Sequence, residues 1–137
     1  MKYLLDTNIL CELRKPKPHG GVLAWFTAFN SAGFAIPVLS LFEMQIGVEQ
    51  LRSKDSYRAA AFEFWISRLE AADNVLSFDG SAAREAARLL YGKPGHLLAD
   101  GMIAAIARVH GLTIATRNTR DFEQFDVPLV NPFEYRG

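Results

Sequence analysis

Short apolar runs alternate with longer amphipathic segments along this chain of 137 residues. Four runs, at 3–5, 33–37, 74–78 and 112–115, have the length and composition of buried strands. A fifth run, 127–130, contains Pro128, which cannot donate a ladder hydrogen bond. This run is therefore predicted to be an edge strand.

The segments between the runs carry apolar residues at helical spacing. They predict a helix from about Ile9, one through 22–29, one from Ser40 to about Leu51, one over 57–69, one over 83–90 and one over 97–109. In the segment 57–69 the predicted apolar face contains Tyr57, Ala61, Phe64, Trp65 and Leu69. Prolines and glycines at 14–21 and 92–95 predict loops.

Strands that alternate with helices imply right-handed crossovers and a mostly parallel sheet with helices on both faces. The chain is therefore predicted to be a single α/β domain over residues 1–137, with a central sheet sandwiched between helices. Ligands of such sheets collect at the carboxyl ends of the strands. Acids at that edge are the ones to consider for function.

Composition narrows the class of protein further. Half of the residues are hydrophobic, and 15 Lys and Arg balance 15 Asp and Glu, which excludes disorder and a binder that works by massed positive charge. A single cysteine, Cys11, allows neither an internal disulfide nor a cysteine zinc cluster. With no signal-like amino terminus and no membrane-length apolar run, a cytoplasmic location is expected.

Four acids qualify as candidates, and each also has a simpler interpretation. Asp6 ends the first strand but could merely cap a helix, and Asp121 follows the fourth strand in what could be a turn. Glu43 lies three residues after Ser40, the spacing of a capping box, which is the favoured interpretation of Glu43 alone. Asp100 lies on an apolar helix face and is expected to be buried, which favours a functional role.

Considered together, the four acids indicate a metal site. Carboxylates that converge without a counter-ion repel one another, so such a cluster implies a hard divalent cation. Oxygen ligands without paired His or Cys favour Mg²⁺ or Mn²⁺ over zinc.

Four sequence blocks resemble the PIN domain, and in particular the VapC toxins of bacterial toxin–antitoxin pairs. The blocks are 4–8, 40–43 with Gly47, 98–107, and 116–122 with 131–133, in the family order. The resemblance implies a parallel sheet between helices and a Mg²⁺-dependent endoribonuclease (Mn²⁺ being the alternative metal) that hydrolyses RNA phosphodiester bonds with a water activated by the metal.

The same resemblance assigns roles to individual residues and partners. Asp6, Glu43, Asp100 and Asp121 match the catalytic quartet; Asp6 and Asp100 hold the metal, with Glu43 and Asp121 acting directly or through water. In some relatives the fourth acid stands at the position of Asn118. Supporting polar positions are Thr7, Asn8, Ser40, Thr116 and Asn118. The implied partners are RNA, a small VapB-like antitoxin and a second copy of the chain. DNA is contacted only indirectly, through the antitoxin, and no membrane is implied.

RNA binding requires cations around the acids. The candidates are Arg14, Lys15 and Lys17 in the first loop, Arg84 and Arg88 on one helix face, Lys93, and Arg117 and Arg120 beside the fourth acid. For any one of them alone, an ordinary solvated charge is the favoured interpretation. The aromatic residues Trp25, Phe26, Phe29, Phe64 and Trp65 are predicted to belong to the core or to a dimer interface rather than to stack on bases.

Two alternatives from other classes are open. A phosphoacceptor receiver domain is compatible with Asp6 and Asp79, which both follow strands. It would, however, require a second acid where Thr7 stands and a lysine where Arg117 stands. The other alternative is a PIN-like binding module without catalytic activity, although no core acid is missing.

Overall fold

A single five-stranded sheet forms the centre of the protein in the computed structural model, which describes residues 1–137. Its order is β3-β2-β1-β4-β5, and every pairing is parallel. The predicted parallel sheet is confirmed, and the strand after Pro128 lies at an edge. The strands are β1 (Tyr3–Leu5), β2 (Phe34–Pro37), β3 (Val75–Leu76), β4 (Thr113–Ala115) and β5 (Leu129–Val130).

Seven helices connect the strands. Their positions agree with the predicted helices, although α3 begins two residues earlier than expected and the predicted turn after β4 contains a short helix. The helices are α1 (Thr7–Arg14), α2 (Gly20–Phe29), α3 (Val38–Arg52), α4 (Ser56–Ala71), α5 (Gly80–Leu90), α6 (Leu98–His110) and α7 (Thr119–Phe122).

The alternation of side chains along β1 divides the core into two layers. Tyr3 and Leu5 point to one face of the sheet, where they pack with buried residues of α1 to α4. Leu4 points to the other face and packs with α5, α6 and α7. Successive strand residues face opposite sides, so this single strand contributes to both layers. Trp25 is 1% exposed in the first layer, which confirms its predicted place in the core.

The apolar face predicted for α4 is buried only in part. Tyr57 and Phe64 are 84% and 66% exposed, whereas Ala59 and Ile66 are buried and Phe62 packs on the same cluster. Both sets of residues have helical spacing, so periodicity alone does not decide between them. The face is decided by the packing of α4 against α3, which the sequence pattern does not contain.

None of the seven helices combines the length and the continuous apolar character that crossing a bilayer requires.

Candidate functional site

Asp6 lies where β1 ends and α1 begins, at the carboxyl edge of the sheet. Its backbone N–H donates to the Ala115 carbonyl at 3.0 Å, which continues the β1–β4 ladder. Its carboxylate Oδ1 accepts the Thr7 backbone N–H at 2.8 Å and so caps α1. The capping role is therefore present, but it uses only one of the two carboxylate oxygens.

The second oxygen of Asp6 is held by residues that follow β1 and β4. Thr116 Oγ1 donates to Asp6 Oδ2 at 2.7 Å, and Asn8 Nδ2 donates to the same oxygen at 3.1 Å. Thr116 is fully buried, and its hydroxyl oxygen also accepts the Asn118 backbone N–H at 3.0 Å. The Arg117 backbone N–H donates to Asn8 Oδ1 at 3.1 Å. The orientation of the Asp6 carboxylate is thus fixed by two strand ends that are far apart in the sequence.

Glu43 does not form the capping box that its spacing from Ser40 indicates. Helix α3 begins at Val38, with Pro37 as the cap residue and no side-chain cap bond. Ser40 therefore lies inside the first turn of α3, and its buried hydroxyl lies 2.8 Å from Thr7 Oγ1. The Thr7 hydroxyl also lies 3.1 Å from Glu43 Oε1. The Thr7 hydroxyl thus lies between Ser40 and the Glu43 carboxylate, and neither of these two α3 side chains closes a helix end.

Asp100 is half-buried in the first turn of α6 and lies within electrostatic range of the other three acids. Partial burial raises the pKa of its carboxyl to about 6, and the negative charges of Asp6, Asp121 and Glu43 add to the effect, while nearby His96 opposes it. Asp121 is exposed in the first turn of α7. The predicted edge therefore brings all four acids within one electrostatic neighbourhood, although Asp100 is less buried than expected.

The pKa values of Asp6 and Glu43 are also raised. Burial is the largest cause for Asp6, opposed by its hydrogen bonds from Thr116, Thr7 and Asn8. For Glu43, partial burial of the carboxyl and the charge of Asp6 raise the pKa, and the Thr7 hydroxyl lowers it. Ionisation of the carboxyl groups at this edge of the sheet is therefore disfavoured unless a cation compensates their negative charges.

The donor set and its charge fit a divalent cation. None of the four carboxylates forms an ion pair with Lys or Arg. No three acidic, histidine or cysteine side chains are drawn together into a ready-made metal cluster. The four carboxylates offer only oxygen ligands, which favour a hard cation such as Mg²⁺ or Mn²⁺ over zinc.

Apart from Arg84 and Arg88 on α5 and Lys93 just after it, the predicted RNA-contact residues divide into two groups. Arg14, Lys15 and Lys17 lie at or beyond the carboxyl end of α1, about 12 Å along the helix axis from Asp6. The Arg14 guanidinium stacks 4.3 Å from the Phe62 ring, and Lys15 pairs with Glu12 at 3.0 Å. The first loop is therefore distant from the acids.

The second group lies at the carboxyl edge. The Arg117 guanidinium rests 4.5 Å from the Phe133 ring, and its backbone N–H is bound by Asn8. Arg120 is exposed on α7, next to Asp121. These two arginines follow β4 directly and are the predicted cations that lie beside the acidic site.

The sequence analysis missed an apolar groove of about 330 Å³ next to the acids. Phe42 and Leu98 in its walls are 64% and 53% exposed. The apolar pairs 39/42 on α3 and 98/102 on α6 have helical spacing and carry the signal for such a groove. It is lined by Leu39, Phe42, Glu43, Leu98, Ala99 and Met102.

Asp79, the acid that favours the receiver alternative, serves as a helix cap. Its carboxylate Oδ1 accepts the Ala82 backbone N–H at 3.0 Å at the start of α5. Asp79 is not among the charged groups that shift the pKa of Asp100. The structure therefore does not bring Asp79 to the acidic site, as the receiver alternative would require.

Comparison with known proteins identifies the family. The PIN domain family matches residues 3–128. The VapC ribonuclease Y4jK of Sinorhizobium fredii is 34% identical over 96% of this chain and 97% of its own length. The tRNA(fMet)-specific endonuclease VapC of Shigella flexneri is 33% identical, with 90% of this chain and 92% of its own covered.

A solved structure is similar to this chain in both sequence and fold. The DNA-bound VapBC complex from Salmonella typhimurium contains a chain that is 31% identical and superposes with a TM-score of 0.71, over 96% of this chain and 98% of that one. This chain belongs to the PIN domain family, and VapC proteins are among its relatives.

Proposed function

We propose that this protein is a Mg²⁺-dependent endoribonuclease and the toxin of a toxin–antitoxin pair, with RNA as its substrate. The observation that carries the proposal is the group of four carboxylates at the carboxyl edge of the sheet, which no Lys or Arg neutralises. The relatives named as ribonuclease and endonuclease support an RNA substrate.

The four acids have different tasks in this proposal. Asp6 and Asp100 hold the metal, and Glu43 and Asp121 contact it directly or through water. When bound, Mg²⁺ (or Mn²⁺) supplies a lowered pKa for water and compensation for charge on the phosphate oxygens. Thr116 and Asn8 fix the angle of the Asp6 carboxylate, and Thr7 and Ser40 fix that of Glu43. We assign Arg117 and Arg120, the cations beside the acids, to contact with RNA phosphates.

Cleavage of a labelled RNA with and without Mg²⁺ tests the proposal. The wild-type protein should cleave with Mg²⁺ and stop in EDTA, and Asp6→Asn and Asp100→Asn should each reduce cleavage to background because a metal ligand is removed. Glu70→Gln, an exposed acid on α4 away from the site, is the matched control and should cleave at the wild-type rate. Wild-type cleavage by Asp100→Asn would contradict the assignment of the metal ligands. A protein that binds RNA but never cleaves it would support the non-catalytic binding module.

The antitoxin partner has a place in this proposal. The apolar groove beside Glu43 lies against the acids, so a peptide seated there would keep RNA from the site. VapBC, in which a relative is paired with its partner, is a precedent for such a complex. Substitution Phe42→Glu should weaken capture of the antitoxin at least tenfold, whereas Tyr57→Glu, at a still more exposed aromatic residue on α4, should not. Equal binding by both variants would place the antitoxin elsewhere.

We further propose that the protein acts as a homodimer in the cytoplasm, where RNA and a newly made antitoxin are both present. The exposed side chains of Ile46 and Phe64 provide apolar surface for association with a second copy. Light scattering of the purified toxin should give twice the chain mass of 15.3 kDa. A mass of one chain at micromolar concentration would contradict the dimer.

A further inference from the structure

A cleft of about 540 Å³ lies between α5 and α6, at the opposite end of α6 from Asp100. Its lining is almost entirely polar and includes three arginines, Arg84, Arg88 and Arg108, with one acid, Glu85, and the hydroxyl of Ser81. Three positive charges, against Glu85 in the lining and Asp126 at the rim, leave an excess of about one positive charge. The ion-pair network around Arg52 has the opposite charge balance, because one arginine lies between two acids, Glu49 and Glu63.

Glu85 orients two of these arginines. Its Oε1 accepts Arg88 Nε at 3.0 Å, and its Oε2 accepts Arg108 Nε at 2.7 Å. Because both bonds use Nε, the terminal amino groups of Arg88 make no bond in the protein, and those of Arg108 are shared with Asp126 at the rim. The hydrogen bonds from Arg108 and Arg88, with a smaller effect of their positive charges, lower the pKa of Glu85, which keeps this carboxylate charged at neutral pH.

Arg84 is the free cation of the cleft. It lies one turn before Arg88 on α5 and forms no ion pair with any acid. A planar guanidinium fork matches the oxygens of a phosphate group in a bidentate manner. The cleft thus presents one unpaired arginine and two that are already oriented, so less side-chain freedom is lost when a phosphate binds.

We infer that this cleft binds backbone phosphates of the RNA substrate beyond the nucleotides at the cleaved bond, and so acts as a second RNA-binding site. This inference rests on the proposed ribonuclease function. Asp100 and Arg108 are eight residues apart on α6, about 12 Å along its axis. A stacked strand advances about 3.4 Å per nucleotide along its axis, so RNA must extend about four nucleotides beyond the cleaved bond to reach the cleft, which a tetranucleotide cannot do. Longer RNA reaches the cleft, and very short RNA does not.

The test compares a tetranucleotide RNA with an unstructured 20-nucleotide RNA on the double variant Arg84→Gln/Arg88→Gln. For the longer RNA we expect KM to rise about threefold to tenfold with kcat unchanged. The slope of log Kd against log salt should fall by about 0.7 for every phosphate that the double variant no longer binds. For the tetranucleotide we expect no change. Arg68→Gln, an exposed arginine of α4 without an ion pair, is the control, and thermal melting verifies that the variants fold.

Binding of the longer RNA is measured by fluorescence anisotropy, which requires no cleavage. Weaker binding by the double variant together with no cleavage by the wild type would leave the cleft in place and overturn the proposed function. Cleavage by the wild type with equal KM and salt slope for the double variant would overturn the cleft. A double variant that binds RNA normally but no longer binds the antitoxin would assign the cleft to that partner and would equally overturn the inference.

Discussion

Thr116 donates a 2.7 Å hydrogen bond to Asp6 across the ends of β4 and β1, and neither side chain is more than 6% exposed. The two residues directly follow β1 and β4, which are neighbouring parallel strands. The sheet itself therefore positions the Thr116 hydroxyl against Asp6. The bond occupies Asp6 Oδ2 and, with the Asn8 amide, sets the direction in which the carboxylate faces the other acids.

The first prediction concerns this hydroxyl. Thr116→Val keeps the shape of the buried side chain and removes the donor, so the Asp6 carboxylate loses its shortest bond. We expect about a 10-fold to 100-fold loss of activity, in the range found for residues that orient metal ligands. The Mg²⁺ concentration for half-maximal activity should rise. Thr116→Ser, which keeps the hydroxyl, should restore most of the activity; an equal loss in the serine variant would indicate a packing role instead.

The second prediction concerns stability and pH. The folded-state pKa of Asp100 is raised from 3.8 to about 6, so the charged carboxylate destabilises the metal-free protein. This cost is fully present above pH 6 and disappears as pH falls through 6 toward 4. Asp100→Asn should therefore raise the metal-free unfolding free energy at pH 8 by about 1 kcal/mol, after discounting for solvent screening.

Thermal or urea unfolding in EDTA between pH 4 and pH 8 measures this difference. The stability of wild type and variant should converge at the acid end, and Mg²⁺ should raise the Tm of the wild type at pH 8 because it binds only the folded state. Glu70→Gln serves as the control, with no gain at pH 8. A variant less stable than wild type at pH 8 would contradict the repulsion among the acids.

The third prediction concerns the fourth acid. Asp121 and Asn118 lie one turn apart at the start of α7, and the Asn118 side chain makes no cap bond. Asp121→Asn should reduce activity by about 10-fold to 100-fold, less than Asp100→Asn does, because an exposed acid acts on the metal through water. Adding Asn118→Asp to that variant should recover part of the activity, as measured by kcat/KM. No recovery would show that only position 121 faces the site.

The sequence predicted the sheet and the edge at which the acids meet, because strand length, helical spacing and polar residues after strands are local signals. It also predicted the supporting residues Thr7, Asn8 and Ser40 through resemblance. What it misjudged depends on contacts between distant segments. The spacing of Ser40 and Glu43 indicates a capping box, but α3 begins two residues before Ser40. The Arg108 side chain joins the α5 arginines only because α5 and α6 pack antiparallel.

The last prediction concerns the packing that carries Asp100. Gly101 follows it in α6 and is buried against α5, where a Cβ on residue 101 would lie 2.5 Å from Leu90 Cγ. Because the branch point of Leu90 must move as well as its methyl groups, Gly101→Ala should destabilise the protein by about 1 to 2 kcal/mol, overpacking exceeding the gain in helix propensity.

Shortening the Leu90 side chain should reverse the sign of this effect on stability. In a Leu90→Ala background the added Cβ has space, so Gly101→Ala should stabilise by about 0.5 to 1 kcal/mol through helix propensity. Urea unfolding of the four proteins of this double-mutant cycle measures the coupling between the two positions. The same sign in both backgrounds would show that Gly101 is required for its backbone rather than for the close contact of α5 with α6. A reversed sign would mean that this contact holds the first turn of α6, and Asp100 with it, at the carboxyl edge of the sheet.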